Sequence, residues 1–270
     1  MGDLAADTAV DGGGGRYTGT VSKDWSIFSP HGGYLSAIAF RAAAAESALP
    51  RPVSFAAHYL AAPAHDEVTL EVRPLREGRA ATSLRVSMTQ GDKPILEALV
   101  WFAAPNDDAP THDQAALPDT PGPADVEQWP HHYPFPFWDR LELRTIDFTG
   151  PWQDQPVGSA ARWRSWHRFR ERATYDDPIL DACRYVVLLD CPFWGASSRP
   201  HADLGMEWFA PSLDYYVAFH QAAPQREWLL MDCVAPVLTD GIGGGQAQLW
   251  SDDGRLVATA GQTILWRRNR

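Results

Sequence analysis

The chain has 270 residues, 45% of them hydrophobic and 21% charged, enough to bury a full core as one large domain or two small ones without disulfides or metals. Its 23 basic residues against 34 acidic ones give a formal charge of −11, which excludes a general electrostatic affinity for nucleic acid or anionic membrane. The apolar stretches fall well short of a membrane span.

The opening, MGDLAADTAVDGGGG, offers neither a basic start nor an apolar run, so no signal peptide is expected. Ala6 stands where a myristoylation signal needs Ser or Thr. Gly12 to Gly15 make residues 1–15 read as a mobile tail. Three cysteines, Cys183, Cys191 and Cys233, are too few and too scattered for a disulfide framework or a zinc site. The expectation is a cytoplasmic protein without a metal or a resident cofactor.

From Arg16, RYTGTVSKDW alternates as a strand does. After Pro30 and Gly32–Gly33, the residues Tyr34, Leu35, Ile38, Ala39, Ala42 and Ala43 recur at helical spacing up to Pro50 and Pro52. Four strand candidates follow: PVSFAAHYLAAP, EVTLEVRPLREG, RAATSLRVSMTQ and PILEALVWF. Gly78 and Gly91–Asp92 fall where hairpins would turn. This half, residues 16–103, reads as strand, helix and antiparallel meander. Residues 104–137, rich in proline and acids, read as a linker crossing between two halves.

The second half, residues 138–270, restarts with LELRTIDF and ARWRSWHRFRER. DDPILDACRYVVLLD reads as a helix with Pro178 in its first turn and Asp176 or Asp177 as its cap. Four more strand candidates follow, and they echo the first half. SFAAHYLAAP parallels SLDYYVAFHQAAP, and Gly78 and Gly91 recur as Gly241 and Gly254, both 163 positions on. A duplicated unit of helix and antiparallel sheet is α+β architecture.

Gln262 interrupts an apolar alternation made of Leu256, Ala258, Ala260, Ile264 and Trp266. A buried amide without partners costs a few kcal/mol, so it marks either a site or a backbone contact. At the offset of 163 the first half has Leu99, which points to a site in the second half only. Arg162, Arg164, Arg168, Arg170 and Arg172 share one strand face. That face suits either the phosphates of a ligand or the many acids of this chain. Cys191 adjoins Asp190 with no histidine partner evident from spacing. His31 reads as a capping or packing residue, His131–His132 as linker histidines, His220 as a strand histidine, and Asp214 as a reserve polar group.

HGGYLSAIAFRAA, SFAAHYLAAP, LREGRAATSLRVSMTQGDKPILEALVWF, SLDYYVAFHQAAPQREWLL and SDDGRLVATAGQTILW together resemble the type II acyl-CoA thioesterase (TesB-like) family. The resemblance implies a double-hotdog fold, in which two long helices are each held in a curved antiparallel sheet. It also implies hydrolysis of acyl-CoA thioesters and assembly into homo-oligomers. It places the family's Asp at Asp190 and its hydroxyl residue at Ser212, a serine where threonine is usual. The family's Gln falls at Gln262, and together the three would activate a water. Asp190, closing an apolar helix, is expected to be partly desolvated. The His31–Gly32–Gly33 turn opens the first helix, whose N–H groups could polarise a thioester carbonyl. The alternatives are a non-catalytic acyl-CoA or acyl-carrier binding protein, and a hotdog dehydratase or hydratase using His31 with Asp190.

Overall fold

The computed structural model describes residues 2–129, 134–147 and 155–268, without the side chains of 205 and 206. His131, His132, Phe148 and Arg270 lie outside the described residues. Helix α1 (Leu4–Asp7) and strands β1 (Val10–Gly13) and β2 (Arg16–Thr20) come first. The long helix α2 (Gly32–Glu46) follows, then β3 (Arg51–Tyr59), β4 (Glu67–Arg76), β5 (Ala81–Gln90) and β6 (Lys93–Ala103). The second half holds α3 (Pro136–Asp139), β7 (Leu141–Thr145), β8 (Arg162–Phe169), α4 (Pro178–Asp190) and α5 (Pro192–Ser198). It continues with β9 (Trp208–Phe209), β10 (Ser212–Phe219), β11 (Leu229–Thr239), β12 (Ile242–Ser251), β13 (Leu256–Leu265) and β14 (Arg267–Arg268).

Twelve of these strands form one sheet in the order β1-β2-β4-β5-β6-β3-β10-β13-β12-β11-β8-β7. Each half is therefore not a simple meander. Its first core strand leaves its sequence neighbour and pairs with the last, β3 with β6 and β10 with β13. That crossing brings β3 and β10 side by side, with Tyr215 opposite Ala57 and Val217 opposite Phe55, so the two repeats share one ladder at the centre.

α2 and α4 pack against one another inside the curved sheet. α4 starts where the chain chemistry dictates: Asp177 accepts the N–H groups of Ile179 (2.7 Å) and Leu180 (3.3 Å), and Pro178 takes the first helical position. α2 is buried from Gly33 to Phe40 and again at Ala42 and Ala43. Its alanines let strands and the second helix approach closely, and Phe40 supplies the bulk, stacking on Phe102 at 5.8 Å and meeting Phe219 of the other half at 5.4 Å. Removing a buried ring of this kind costs about 3–5 kcal/mol.

The mobile-tail expectation for residues 1–15 is corrected. Leu4 and Thr8 are buried, and β1 pairs with β2 from Val10 to Gly13. Asp7 accepts the Trp25 indole N–H at 2.8 Å, and Asp3 meets Arg172 (2.9 Å) and Tyr175 (3.2 Å) of the second half. The glycines serve a tight β1–β2 turn, with φ of +61° at Gly14 and +80° at Gly15. The described part of the crossing segment lies against the outer face of the second half. Trp166 donates to the Pro121 carbonyl at 3.0 Å, and Leu117 and Val126 cover the Trp166–Leu230–Trp250 cluster.

The Leu99 comparison is corrected as well. Leu99 is 47% exposed and points outward, whereas its neighbours Ala98 and Val100 are buried. A shift of one residue along a strand exchanges its faces, and the inward residue of β6 at this point is apolar Val100.

Candidate active site

Asp190, the last residue of α4, is 8% exposed and sits where the start of α2 meets the end of α4. Its Oδ2 accepts the Gly33 N–H at 2.7 Å and lies 3.2 Å from His31 Nε2. Its Oδ1 accepts from Gln262 Nε2 and lies 3.5 Å from both Ser212 Oγ and Tyr59 OH. The structure thus brings Asp190, Ser212, Gln262, His31, Gly32 and Gly33 into one cluster. A negative group is favoured at a helix N-terminus, where unpaired N–H groups point outward. The two glycines make the approach possible. A Cβ on Gly33 would lie 2.9 Å from Asp190 Cβ and from the Val186 and Val187 carbonyl oxygens, and one on Gly32 would lie 2.9 Å from Asp190 Oδ2. The Gly33 N–H, expected to face a thioester carbonyl, is committed to Asp190 here.

Ser212 and Gln262 reach the carboxylate by different routes. Gln262 stands on β13 opposite Tyr215 of β10, with buried Ala260 and Ile264 on either side of it on the same face. Ser212 opens β10 at a bulge: it pairs with Ile264 while Asp214 pairs with Thr263, leaving Leu213 as the extra residue. The bulge turns Ser212 onto the inward face that strict alternation from Tyr215 would deny it. Asp214 accepts the Thr263 N–H at 2.9 Å, a contact that steadies the bulge.

His31 is not a side-chain cap of α2. Its ring stacks on Phe137 at 4.3 Å, and among the described residues its buried Nδ1 has no hydrogen-bond partner. Burial lowers its pKa against the opposing pull of Asp190, so the imidazole is neutral at neutral pH. Cys191 does have a histidine partner, one that chain spacing concealed, with Sγ 3.5 Å from His31 Nε2. Burial and the Asp190 charge push this thiol well above its ordinary range, which withholds the thiolate a nucleophile needs.

Tyr59 was not anticipated. It follows Phe55 and Ala57 on the inward face of β3, and its OH lies 2.8 Å from Ser36 Oγ of α2. The signal for it is the one that marks Gln262, a polar tip on an apolar alternation. Burial, reinforced by Asp190, holds the phenol well above its usual pKa.

The arginine face proves to be an ion-pair ladder. Arg162 binds Asp232 (2.6 Å), Arg164 binds Asp147 (2.7 Å), Arg168 binds Glu142 (2.8 Å) and Arg172 binds Asp3 (2.9 Å), while Arg170 donates to the Leu141 carbonyl at 2.9 Å. His220 lies 3.0 Å from Thr259 Oγ1, on the outer face. Among the described residues no group of three His, Cys, Asp or Glu side chains is placed to hold a metal ion, and no helix is long and apolar enough to cross a membrane.

Two helix-in-sheet repeats sharing one ladder, with a buried carboxylate where their helices meet, define a double-hotdog protein. The acyl-CoA thioesterase N-terminal domain matches residues 21–103 and the acyl-CoA thioesterase C-terminal domain matches residues 105–266. The chain therefore belongs to the acyl-CoA thioesterase family, hydrolases that act on thioesters. It is similar to a tesB protein of Mycobacterium avium subs paratuberculosis, with 25% identity over 98% of each chain and a TM-score of 0.80. An acyl-CoA thioesterase II, TesB2, of Mycobacterium marinum shares the fold at 20% identity over 99% of each chain, with a TM-score of 0.80. So does a hot dog fold protein of Alicyclobacillus acidocaldarius, at 22% identity over 99% of this chain and 98% of that one, with a TM-score of 0.83.

Proposed function

We propose that the protein hydrolyses an acyl-CoA thioester to the free acid and coenzyme A, using a water activated by Asp190, Ser212 and Gln262. The observation that carries this reading is the division of labour on the carboxylate. His31 and Gly33 occupy Oδ2, while Ser212 and Gln262 converge on Oδ1, the oxygen that would take a proton. In the reaction, Oδ1 removes a proton from water as the water oxygen attacks the thioester carbon. The tetrahedral intermediate collapses with cleavage of the C–S bond, and the proton passes from Asp190 to the departing thiolate. The amide of Gln262 and the hydroxyl of Ser212 orient the water, an arrangement that lowers the entropy cost of the attack. The turn His31–Gly32–Gly33 forms the wall against which the thioester rests. The acyl-CoA specificity, the homo-oligomeric state and the cytoplasmic location belong to the same reading.

A panel of acyl-CoA chain lengths assayed with a thiol-trapping dye tests it. Release of free thiol by the native protein, lost in Asp190→Asn, is the expected result. Tight acyl-CoA binding with no thiol release would favour a non-catalytic binding protein instead. The 3.2 Å contact between His31 Nε2 and Asp190 Oδ2 also suits a hydratase or dehydratase, in which a histidine and a carboxyl group share the proton transfers. Hydration of an enoyl-CoA without thiol release would identify that chemistry.

A further inference from the structure

Resting on the thioesterase reading, we infer that Tyr59 is a further catalytic residue, whose O–H donates to the developing oxyanion of the thioester. Attack on a thioester carbonyl places negative charge on its oxygen, and a fixed donor must meet it. The obvious donor, the Gly33 N–H at the start of α2, is spent on Asp190 Oδ2 at 2.7 Å. The Gln262 amide also donates to Asp190. Two hydroxyls stand beside the carboxylate, each 3.5 Å from Oδ1: Ser212, assigned above to the water, and Tyr59, which is left for the substrate.

Its distance of 3.5 Å from Asp190 Oδ1 is far longer than the roughly 2.5–2.7 Å of a strong O–H···O⁻ bond, so the phenol proton is not locked to the carboxylate. Ser36 Oγ lies 2.8 Å from the phenol oxygen. A serine within a helix usually returns its proton to a carbonyl one turn back. Ser36 is fully buried and has Tyr59 as its partner instead. Either oxygen of this pair can donate, and in the arrangement where Ser36 does, the phenol proton is free to point at substrate. Gly32 leaves the path open, since a Cβ there would lie 3.0 Å from Tyr59 Cζ and 3.1 Å from its OH. The raised pKa of the phenol keeps it a protonated donor throughout the working pH range. Tyr59 comes from β3 of the first half and Asp190 from α4 of the second, so the proposal makes catalysis depend on both repeats.

Two measurements on Tyr59→Phe test this. In steady-state thiol release the substitution should lower kcat by about 100-fold with little change in KM, and Ser36→Ala should lower it in the same direction by less. In an Asp190→Asn background, an acyl-CoA carrying carbonyl ¹³C is bound and its carbonyl stretch is read by difference infrared spectroscopy. The band should lie at lower frequency with Tyr59 present than in the Tyr59→Phe variant, which reports the hydrogen bond whether or not turnover occurs. An unchanged kcat, or the same carbonyl frequency in both proteins, overturns the proposal. A native protein that neither binds nor cleaves acyl-CoA overturns the thioesterase reading itself, and this inference with it.

Discussion

Gly33, the second residue of one central helix, donates its N–H at 2.7 Å to Asp190, the last residue of the other. The helices thus meet end to start, with the carboxylate as their joint. Methylating that joint should break it. Gly33→Ala would press a Cβ to within 2.9 Å of two backbone carbonyl oxygens, and such overpacking costs about 1–3 kcal/mol. Thermal melts should show the loss of stability, and the thiol-release assay a larger loss of rate than the stability change alone accounts for.

Asp190→Asn keeps the side-chain volume and removes the base. Gln262→Ala removes the amide that donates to it. Each is expected to abolish thiol release, with circular dichroism and melting behaviour close to the native protein. Full activity in both variants would sink the proposed site.

Cys191 lies within 3.5 Å of the site histidine and invites an acyl-cysteine mechanism. Burial holds its thiol well above the ordinary range, so the opposite is expected. Cys191→Ser should retain turnover, and mass spectrometry of the native protein during turnover should find no acyl adduct. An acylated Cys191 that forms and decays at the rate of turnover would replace the water mechanism.

Acid should destabilise the fold through His167, whose pKa burial pushes down from 6.5 to about 3. Between those values the unfolded chain binds a proton that the native protein does not. Stability should therefore fall as pH drops from 6.5, by up to ~1.4 kcal/mol per pH unit, and level off below the native pKa. His31, also lowered, acts in the same direction. Urea titrations of His167→Asn across this window should show a shallower slope than the native protein.

Arg184 and Asp181 form a fully buried ion pair. Arg184 also donates to the carbonyls of Ala173 (2.6 Å), Arg226 (2.7 Å) and Ala223 (2.9 Å). Arg184→Met would strand the Asp181 charge and the three carbonyls, at a cost of about 3–5 kcal/mol. Adding Asp181→Asn should recover part of that loss. A double variant no more stable than the single one would place the cost in the loop carbonyls alone.

Much of this arrangement was legible because local chemistry announced it. Asp177 and Pro178 mark the start of α4, and Gly91 and Gly254, both with positive φ, mark hairpin turns at matching places. Gln262 betrayed itself by sitting among apolar residues. What stayed hidden depends on contacts between distant residues. The pairing of β3 with β6 is a choice among equally apolar strands. His31 and Cys191 meet across 160 positions. A glycine-rich start resembles a loose end until Leu4 and Thr8 are seen to be buried. The assignment of Leu99 failed by one residue, the smallest error that turns a strand inside out.

The ladder between β3 and β10 is where the two repeats are welded. Each half made alone would bare that strand as an unsatisfied edge, ready to pair with another copy of itself. A first half so paired would bring together two copies of Gly33 and Tyr59 and no Asp190, and a second half the reverse. Mixing separately made halves is thus a complementation experiment: the carboxylate and its holders rejoin only in the heterodimer, and activity would count how often the right partners found each other.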